Sequence, residues 1–184
     1  MASGTFDIFD RGIDLIRWLA SHRTPAGNVF FLAFTGAGST VAYLAMLVVI
    51  SWSISRKLGA WLLLALVLSL CLNHLLKNWI ALPRPFLYAR VDNLTTPDEY
   101  SFPSGHAQHA ALFWGLLMIR FRNRWFRVAA MLMVFLIGFS RIYLGVHFPT
   151  DVLAGWMVGA LLAWIYASAW RNDEDSHGSS PREV

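Results

Sequence analysis

Cysteine occurs once, at Cys71, in a chain of 184 residues. This excludes an intramolecular disulfide framework and any zinc cluster built on cysteines. Charge is also scarce: Asp, Glu, Lys and Arg make up 14% of the residues, against about 25% in a soluble domain. Polar residues are too few for disorder through most of the chain. No internal repeat or second soluble domain is evident, so residues 1–172 read as one unit and 173–184 as a polar, disordered tail. Apolar surface, by contrast, is plentiful: 57% of residues are hydrophobic, 15% are aromatic and the mean hydropathy is +0.49. A water-soluble monomer of this composition would expose large apolar patches, so the chain reads as a membrane protein.

A helix needs about 20 mostly apolar residues to cross the hydrocarbon core. Five segments approach that: residues 29–52, 59–81, 104–119, 125–144 and 151–170. The predicted fold is therefore all-α, a polytopic bundle of five transmembrane helices. A soluble helical bundle is the alternative. It fits poorly because residues 62–68 are apolar all round and leave no face for water. Residues 6–20 differ from the spans. Phe6, Ile8, Phe9, Ile13, Leu15, Ile16 and Leu19 fall on one half of a helical wheel, and Asp7, Asp10, Arg11, Asp14 and Arg17 on the other. This pattern predicts an amphipathic helix lying in the membrane interface.

The loops set the orientation. Arg56 and Lys57 lie in one connection, and Arg120, Arg122, Arg124 and Arg127 in another on the same side. By the positive-inside rule that side faces the cytoplasm, together with the C-terminus. The connections around residues 83–103 and 145–150 then face outward.

Ionisable groups beside membrane helices are costly and usually functional. Here they gather at the outward end, in three stretches: Lys77 to Arg84-Pro85, Pro103-Ser104-Gly105-His106, and Ser140-Arg141 to His147 and Asp151. Lys77, Arg84 and Arg141 would repel one another without a counter-anion. Phosphate suits them, because guanidinium groups bind its oxygens in a fork and an ammonium adds a point charge. Ser104 and Gly105 open a helix whose free N–H groups favour an anion, with Ser104 able to cap the helix or donate its hydroxyl. His147 and Asp151 are four residues apart, so the carboxylate can fix the imidazole tautomer and leave the other nitrogen to attack. His106 then serves as the acid on the leaving oxygen. The rival chemistry is a metal held by His106, His109, His147 and Asp151. Three cations nearby argue against it by repulsion.

Other polar residues have blander readings. Asn73 and His74 either orient the Lys77 ammonium or hydrogen-bond between helices. His109 reads as a satisfied interior group or a support for the site, and Ser140 as a packing residue or a supporting donor. Trp52, Trp61, Trp79, Trp125 and Trp170 lie near span ends and read as interfacial belt residues.

The three stretches, in this order and spacing, resemble the signature K-x6-RP, PSGH and SR-x5-H-x3-D of the type-2 phosphatidic acid phosphatase superfamily. The resemblance implies an integral-membrane lipid phosphatase that needs no metal or other cofactor. It makes the residue matching His147 the nucleophile, the one matching His106 the acid and the one matching Asp151 the support. Those matching Lys77, Arg84, Ser104, Gly105 and Arg141 hold phosphate. In bacterial members the site commonly faces the periplasm of the inner membrane. Many members have six spans, where this chain has five and the helix at 6–20; that helix is accordingly a candidate wall of the lipid entrance. The expected partners are the bilayer and a lipid phosphate or pyrophosphate of the phosphatidylglycerophosphate, phosphatidate or undecaprenyl pyrophosphate type, and no nucleic acid. The alternatives are a phosphotransferase using the same phosphohistidine and a non-enzymatic headgroup binder or transporter.

Overall fold

Helix boundaries follow the local chemistry of the chain. Thr24 Oγ1 accepts from Gly27 N at 3.1 Å, with Pro25 in the first turn behind it. Ser39, Ser55 and Asn123 cap three later helices in the same way, each satisfying N–H groups that a helix start leaves free. The computed structural model describes the backbone of residues 3–178 and the side chains of residues 10–170. Its elements are α1 (Ser3–Ser21), α2 (Pro25–Ala37), α3 (Thr40–Ser53), α4 (Arg56–Ile80), the short α5 (Pro85–Tyr88), α6 (Gly105–Arg120), α7 (Arg124–Tyr143) and α8 (Pro149–Gly178). No strand occurs among the described residues.

Helices α4, α7 and α8 are long and apolar enough to cross a bilayer. The segment expected as one span at 29–52 is two helices, α2 and α3, bent by 57° at the break around Gly38. Ser39 explains the break, since its hydroxyl accepts from Ala42 N at 3.2 Å and starts a new helix. Taken together the pair makes a fourth candidate span. At 16 residues, α6 is shorter than a bilayer needs.

The centre of the bundle is α6, which packs on α4, α7 and α8. Two glycines permit its closest approach. A Cβ on Gly155 of α8 would lie 2.6 Å from Ser104 O, and one on Gly159 2.2 Å from Gln108 O. Both distances are below any real contact, so α8 can meet the α6 backbone only where these side chains are absent. Apolar residues of α3, α4 and α6 fill one end of the interior, around Tyr43, Leu66 and Phe113. The other end is filled by α1, α7 and the loop before α8.

The amphipathic pattern of the N-terminal helix holds where its side chains are described. Ile13, Ile16 and Leu19 are buried, and Asp10, Arg11, Asp14 and Arg17 are exposed. Leu15, placed on the apolar half, is itself 40% exposed. The expected contributions of Phe6, Ile8 and Phe9 lie outside the described side chains. At the other terminus, α8 carries helical backbone through Gly178, so the first residues of the expected tail at 173–184 are helical and not coil. Residues 179–184 lie outside the description.

Candidate active site

Four elements converge at one end of the bundle: the end of α4 with Lys77, the loop and α5 with Arg84, the start of α6 with Ser104 to His106, and the α7–α8 turn with Arg141, His147 and Asp151. The turn is set by backbone geometry. Gly145 has φ +75°, and a Cβ there would lie 2.6 Å from Asp92 O. A residue with a side chain is strained in that region, so Gly145 lets the chain reverse and present His147 inward.

Burial is nearly complete. Lys77, Arg84, Ser104, Arg141, His147 and Asp151 are all at most 5% exposed. Charged side chains are almost never buried without a partner, and here three cations share the interior with one fully buried carboxylate.

The imidazole of His147 is held on both sides. Arg84 Nη1 lies 3.2 Å from its Nε2 and donates to Val146 O at 2.9 Å, while Arg84 Nε donates to Glu99 O at 2.6 Å. On the far side, His147 Nδ1 lies 3.3 Å from Asp151 Oδ2. Guanidinium donates only, so Nε2 accepts and the proton sits on Nδ1, toward the carboxylate. Burial, and then the positive charges of Arg141, Arg84 and Lys77, push the His147 pKa well below the ordinary histidine value. A neutral imidazole whose unprotonated nitrogen is Nε2 has the form a nucleophile needs, with its lone pair held by Arg84 until a phosphoryl group takes that donor's place.

Asp151 is fixed in turn. Its Oδ2 accepts from Phe148 N at 2.9 Å and from Ser101 Oγ at 2.5 Å. Ser101 Oγ also lies 3.3 Å from His147 Nδ1. Ser101 is absent from the sequence reading because it belongs to none of the three stretches and lies in an irregular loop without periodicity. Thr35 was equally invisible: its Oγ1 accepts from Arg141 Nη1 at 2.5 Å across 106 positions of chain.

Lys77 donates to Tyr100 O and lies 3.5 Å from Glu99 Oε2. Glu99 is largely exposed while Lys77 is buried, so the ammonium is the inner member of the pair. Asn73 does not reach Lys77. It donates to Gln108 Oε1 at 2.9 Å and Pro103 O at 3.3 Å, which ties α4 to α6. His109 is satisfied by Ser69 Oγ at 2.9 Å, and Gln108 Nε2 donates to the same hydroxyl at 2.9 Å. Ser140 Oγ bonds its own helix at Ile137 O, 2.7 Å away, and takes no part in the cluster. Ser104 opens α6 but its hydroxyl caps nothing. That hydroxyl and Arg141 Nε are buried donors with no partner among the described residues, and buried polar groups of this kind normally have one.

A cleft of about 380 Å³ reaches this region, lined by Gly38, Asn73, His74, Glu99, Gly105, His106 and His109 among others. Its walls come from the α2–α3 break, α4, α6 and the intervening loop. Among the described residues, none of the N-terminal helix, expected as a wall of the entrance, lines the cleft. Its Gly12 packs behind the α7–α8 turn: a Cβ there would lie 3.3 Å from Phe148. Among the described residues, no three His, Cys, Asp or Glu side chains are arranged to hold a metal ion.

The fold and site define a polytopic helical membrane protein with a buried, cationic, histidine-bearing pocket at the end of its bundle. The chain belongs to the PAP2 superfamily, whose model matches residues 58–175. It is 32% identical over 157 residues to phosphatidylglycerophosphatase B of Bacillus subtilis, covering 78% of this chain and 75% of that one. It is 32% identical over 113 residues to undecaprenyl-diphosphatase of Sulfolobus acidocaldarius, covering 60% of this chain and 54% of that protein's length. Among solved structures, Aquifex aeolicus LpxE superposes with a TM-score of 0.77 at 31% identity, over 84% of this chain and 93% of that one. A transmembrane PAP2-type phosphatidylglycerolphosphate phosphatase from Bacillus subtilis gives 0.80 at 23% identity, over 99% and 91%, which establishes a shared fold.

Proposed function

We propose that this chain is a metal-independent lipid phosphatase that cleaves a phosphomonoester or pyrophosphate through a phosphohistidine on His147. The observation that carries it is the setting of His147, with Arg84 at Nε2 and Asp151 at Nδ1.

The steps follow from that setting. The phosphoryl group enters among Lys77, Arg84 and Arg141, and Ser104 Oγ and Arg141 Nε gain the acceptors they lack. Nε2 of His147 attacks phosphorus in line, the P–O bond to the lipid breaks, and His106 gives its proton to the departing oxygen. Asp151 stabilises the imidazolium that forms. His106 then takes a proton from water, which attacks the phosphohistidine and releases phosphate. Throughout, the cations and the α6 N-terminus stabilise charge on the equatorial oxygens.

The same fold supports a membrane arrangement. Arg56 and Lys57 begin α4, and Arg120 and Arg124 end α6 and begin α7, all at the end away from His147. The positive-inside rule puts that end in the cytoplasm and the site at the outer face of a bacterial inner membrane. In this arrangement α2–α3, α4, α6, α7 and α8 are the five spans, with α6 shielded from lipid by its neighbours. Helix α1 lies in the outer interface, and residues 1–172 form one phosphatase domain. The names of the relatives support substrates of the phosphatidylglycerophosphate or undecaprenyl pyrophosphate kind.

The test is phosphate release in detergent over a panel of lipid monophosphates and pyrophosphates, with His147→Ala alongside. Release in EDTA by the parent and none by the variant is expected. Phosphoryl transfer to an added lipid alcohol without free phosphate would favour a transferase. Full biological activity of His147→Ala would favour a headgroup binder.

A further inference from the structure

A second cleft lies at the opposite end of the bundle, between α4, α6 and α8. It has a volume of about 400 Å³ and is lined by Trp61, Arg120, Arg122, Tyr166 and Trp170, over a floor of Leu58, Leu62 and Leu116. Trp61 lies roughly 25 Å along α4 from Lys77, so this cleft is separate from the catalytic pocket.

Its walls have a distinct chemistry. The ring of Trp61 lies 4.8 Å from that of Trp170 and 5.0 Å from that of Tyr166. Lys57 Nζ stands 6.0 Å from the Trp170 ring centroid. Trp52, Trp79 and Trp125, which also lie near helix ends, are by contrast 87%, 84% and 69% exposed, as simple belt residues are. Trp61 and Trp170 are half-buried, turned inward to build a wall. Among the described residues no acidic side chain lines the cleft, while two arginines do. Tyr166 Oη is buried with no partner among the described residues. An aromatic cage with basic groups at its rim and an unmatched hydroxyl within calls for a ligand with an apolar body and an anionic head.

We infer that this cleft binds an anionic phospholipid from the leaflet away from the catalytic site. The phosphodiester sits between Arg120 and Arg122, Tyr166 Oη donates to the headgroup, and the acyl chains run over Trp61 and the leucine floor. The volume suits a headgroup and its glycerol, since ligand sites run from about 300 Å³ upward. Bound there, the lipid clamps the ends of α4, α6 and α8, whose other ends carry Lys77, His106 and Asp151. Arg124 is the internal contrast: it belongs to the same basic end but stacks on Trp125 at 4.9 Å, outside the cleft.

Native mass spectrometry of the full chain in detergent tests this, with phosphatidylglycerol and phosphatidylcholine as probes. Neither is a phosphomonoester. The expected result is one phosphatidylglycerol retained at collision energies that remove phosphatidylcholine. In R120Q/R122Q that retention falls at least about tenfold, from two lost charge-assisted bonds, and in R124Q it is unchanged. Tyr166→Phe, a substitution that leaves the packing intact, weakens retention about fivefold for one lost hydrogen bond. Saturating inorganic phosphate, which fills the catalytic pocket, leaves retention unaltered. Equal retention of phosphatidylcholine, an R124Q effect equal to that of the double variant, or displacement by phosphate would each overturn the assignment.

Discussion

Ser101 Oγ stands between the two members of the His147–Asp151 pair, 2.5 Å from Asp151 Oδ2 and 3.3 Å from His147 Nδ1. The direct contact between His147 and Asp151 is 3.3 Å, long for a charge-assisted bond. The hydroxyl therefore anchors the carboxylate that orients the imidazole. Removing it in Ser101→Ala lowers kcat by about 10- to 100-fold, for a charge-assisted hydrogen bond of roughly 1.5–3 kcal/mol. KM for a short-chain soluble phosphomonoester stays close to that of the parent. A rise in KM with unchanged kcat would assign Ser101 to substrate binding instead.

Arg84 makes three contacts that depend on the planar fork of guanidinium, to Glu99 O, Val146 O and His147 Nε2. An ammonium cannot reproduce that fork. Arg84→Lys is expected to reduce kcat/KM by at least about 100-fold, near 3 kcal/mol, although the charge is kept. Steady-state kinetics decides the matter, and activity within tenfold of the parent would mean that charge alone suffices.

The pH profile follows from His147. The proposed attack requires its neutral form, and burial with the nearby cations holds its pKa well below the ordinary value of 6.5. A lowered pKa means that protonation, and with it loss of the nucleophile, sets in only at lower pH. The acid limb of kcat/KM assigned to His147 is therefore expected to lie below pH 6.5. Arg141→Gln removes the largest of the charge contributions and shifts that limb upward. A parent limb above 6.5 that Arg141→Gln leaves in place would contradict this account of the site.

Two glycines give a matched pair of substitutions. Gly159→Ala drives a methyl to within 2.2 Å of Gln108 O and separates α8 from α6, whereas Gly36 has nothing within 4 Å of its Cβ position. The expected cost for Gly159→Ala is about 1–3 kcal/mol. Gly36→Ala is neutral or stabilising by up to about 1 kcal/mol, since glycine disfavours helix interiors. Thermal unfolding in detergent reads both. Because α8 also carries Asp151, Gly159→Ala should lose activity along with its stability.

Arg23 braces the catalytic turn from outside. Its Nη2 and Nε donate to Tyr143 O at 2.6 and 3.1 Å, and its Nη1 to Asp92 O at 3.1 Å. Helix α1 packs against the same turn through Gly12, beside Phe148. Deletion of residues 1–22 should then reduce activity on lipid and on short-chain soluble phosphates by the same factor. Selective loss on the lipid would restore α1 to the entrance wall.

Much of the site was legible because its chemistry is carried by rare residues at fixed spacing. Lys77, Arg84, His106, Arg141, His147 and Asp151 are costly in a membrane chain, and each lies at or within a few residues of the outward end of a predicted span. Ser101, Thr35, Gln108 and Arg23 carried no such mark. Small polar residues in loops or apolar helices have many ordinary uses, and only proximity across 50 or 106 positions of chain gives Ser101 and Thr35 their roles. The bend at Gly38 was likewise hidden inside one continuous apolar stretch.

By itself, the order of apolar and charged residues determined that the chain is helical, membrane-bound and cationic at one end, because burial of apolar surface and the cost of lone charges act locally along each helix. Which nitrogen of His147 carries the proton, what holds Asp151, and that the described part of α1 packs against the turn were decided only by packing. Those properties depend on distances between groups far apart in sequence, and helical periodicity carries no information about them.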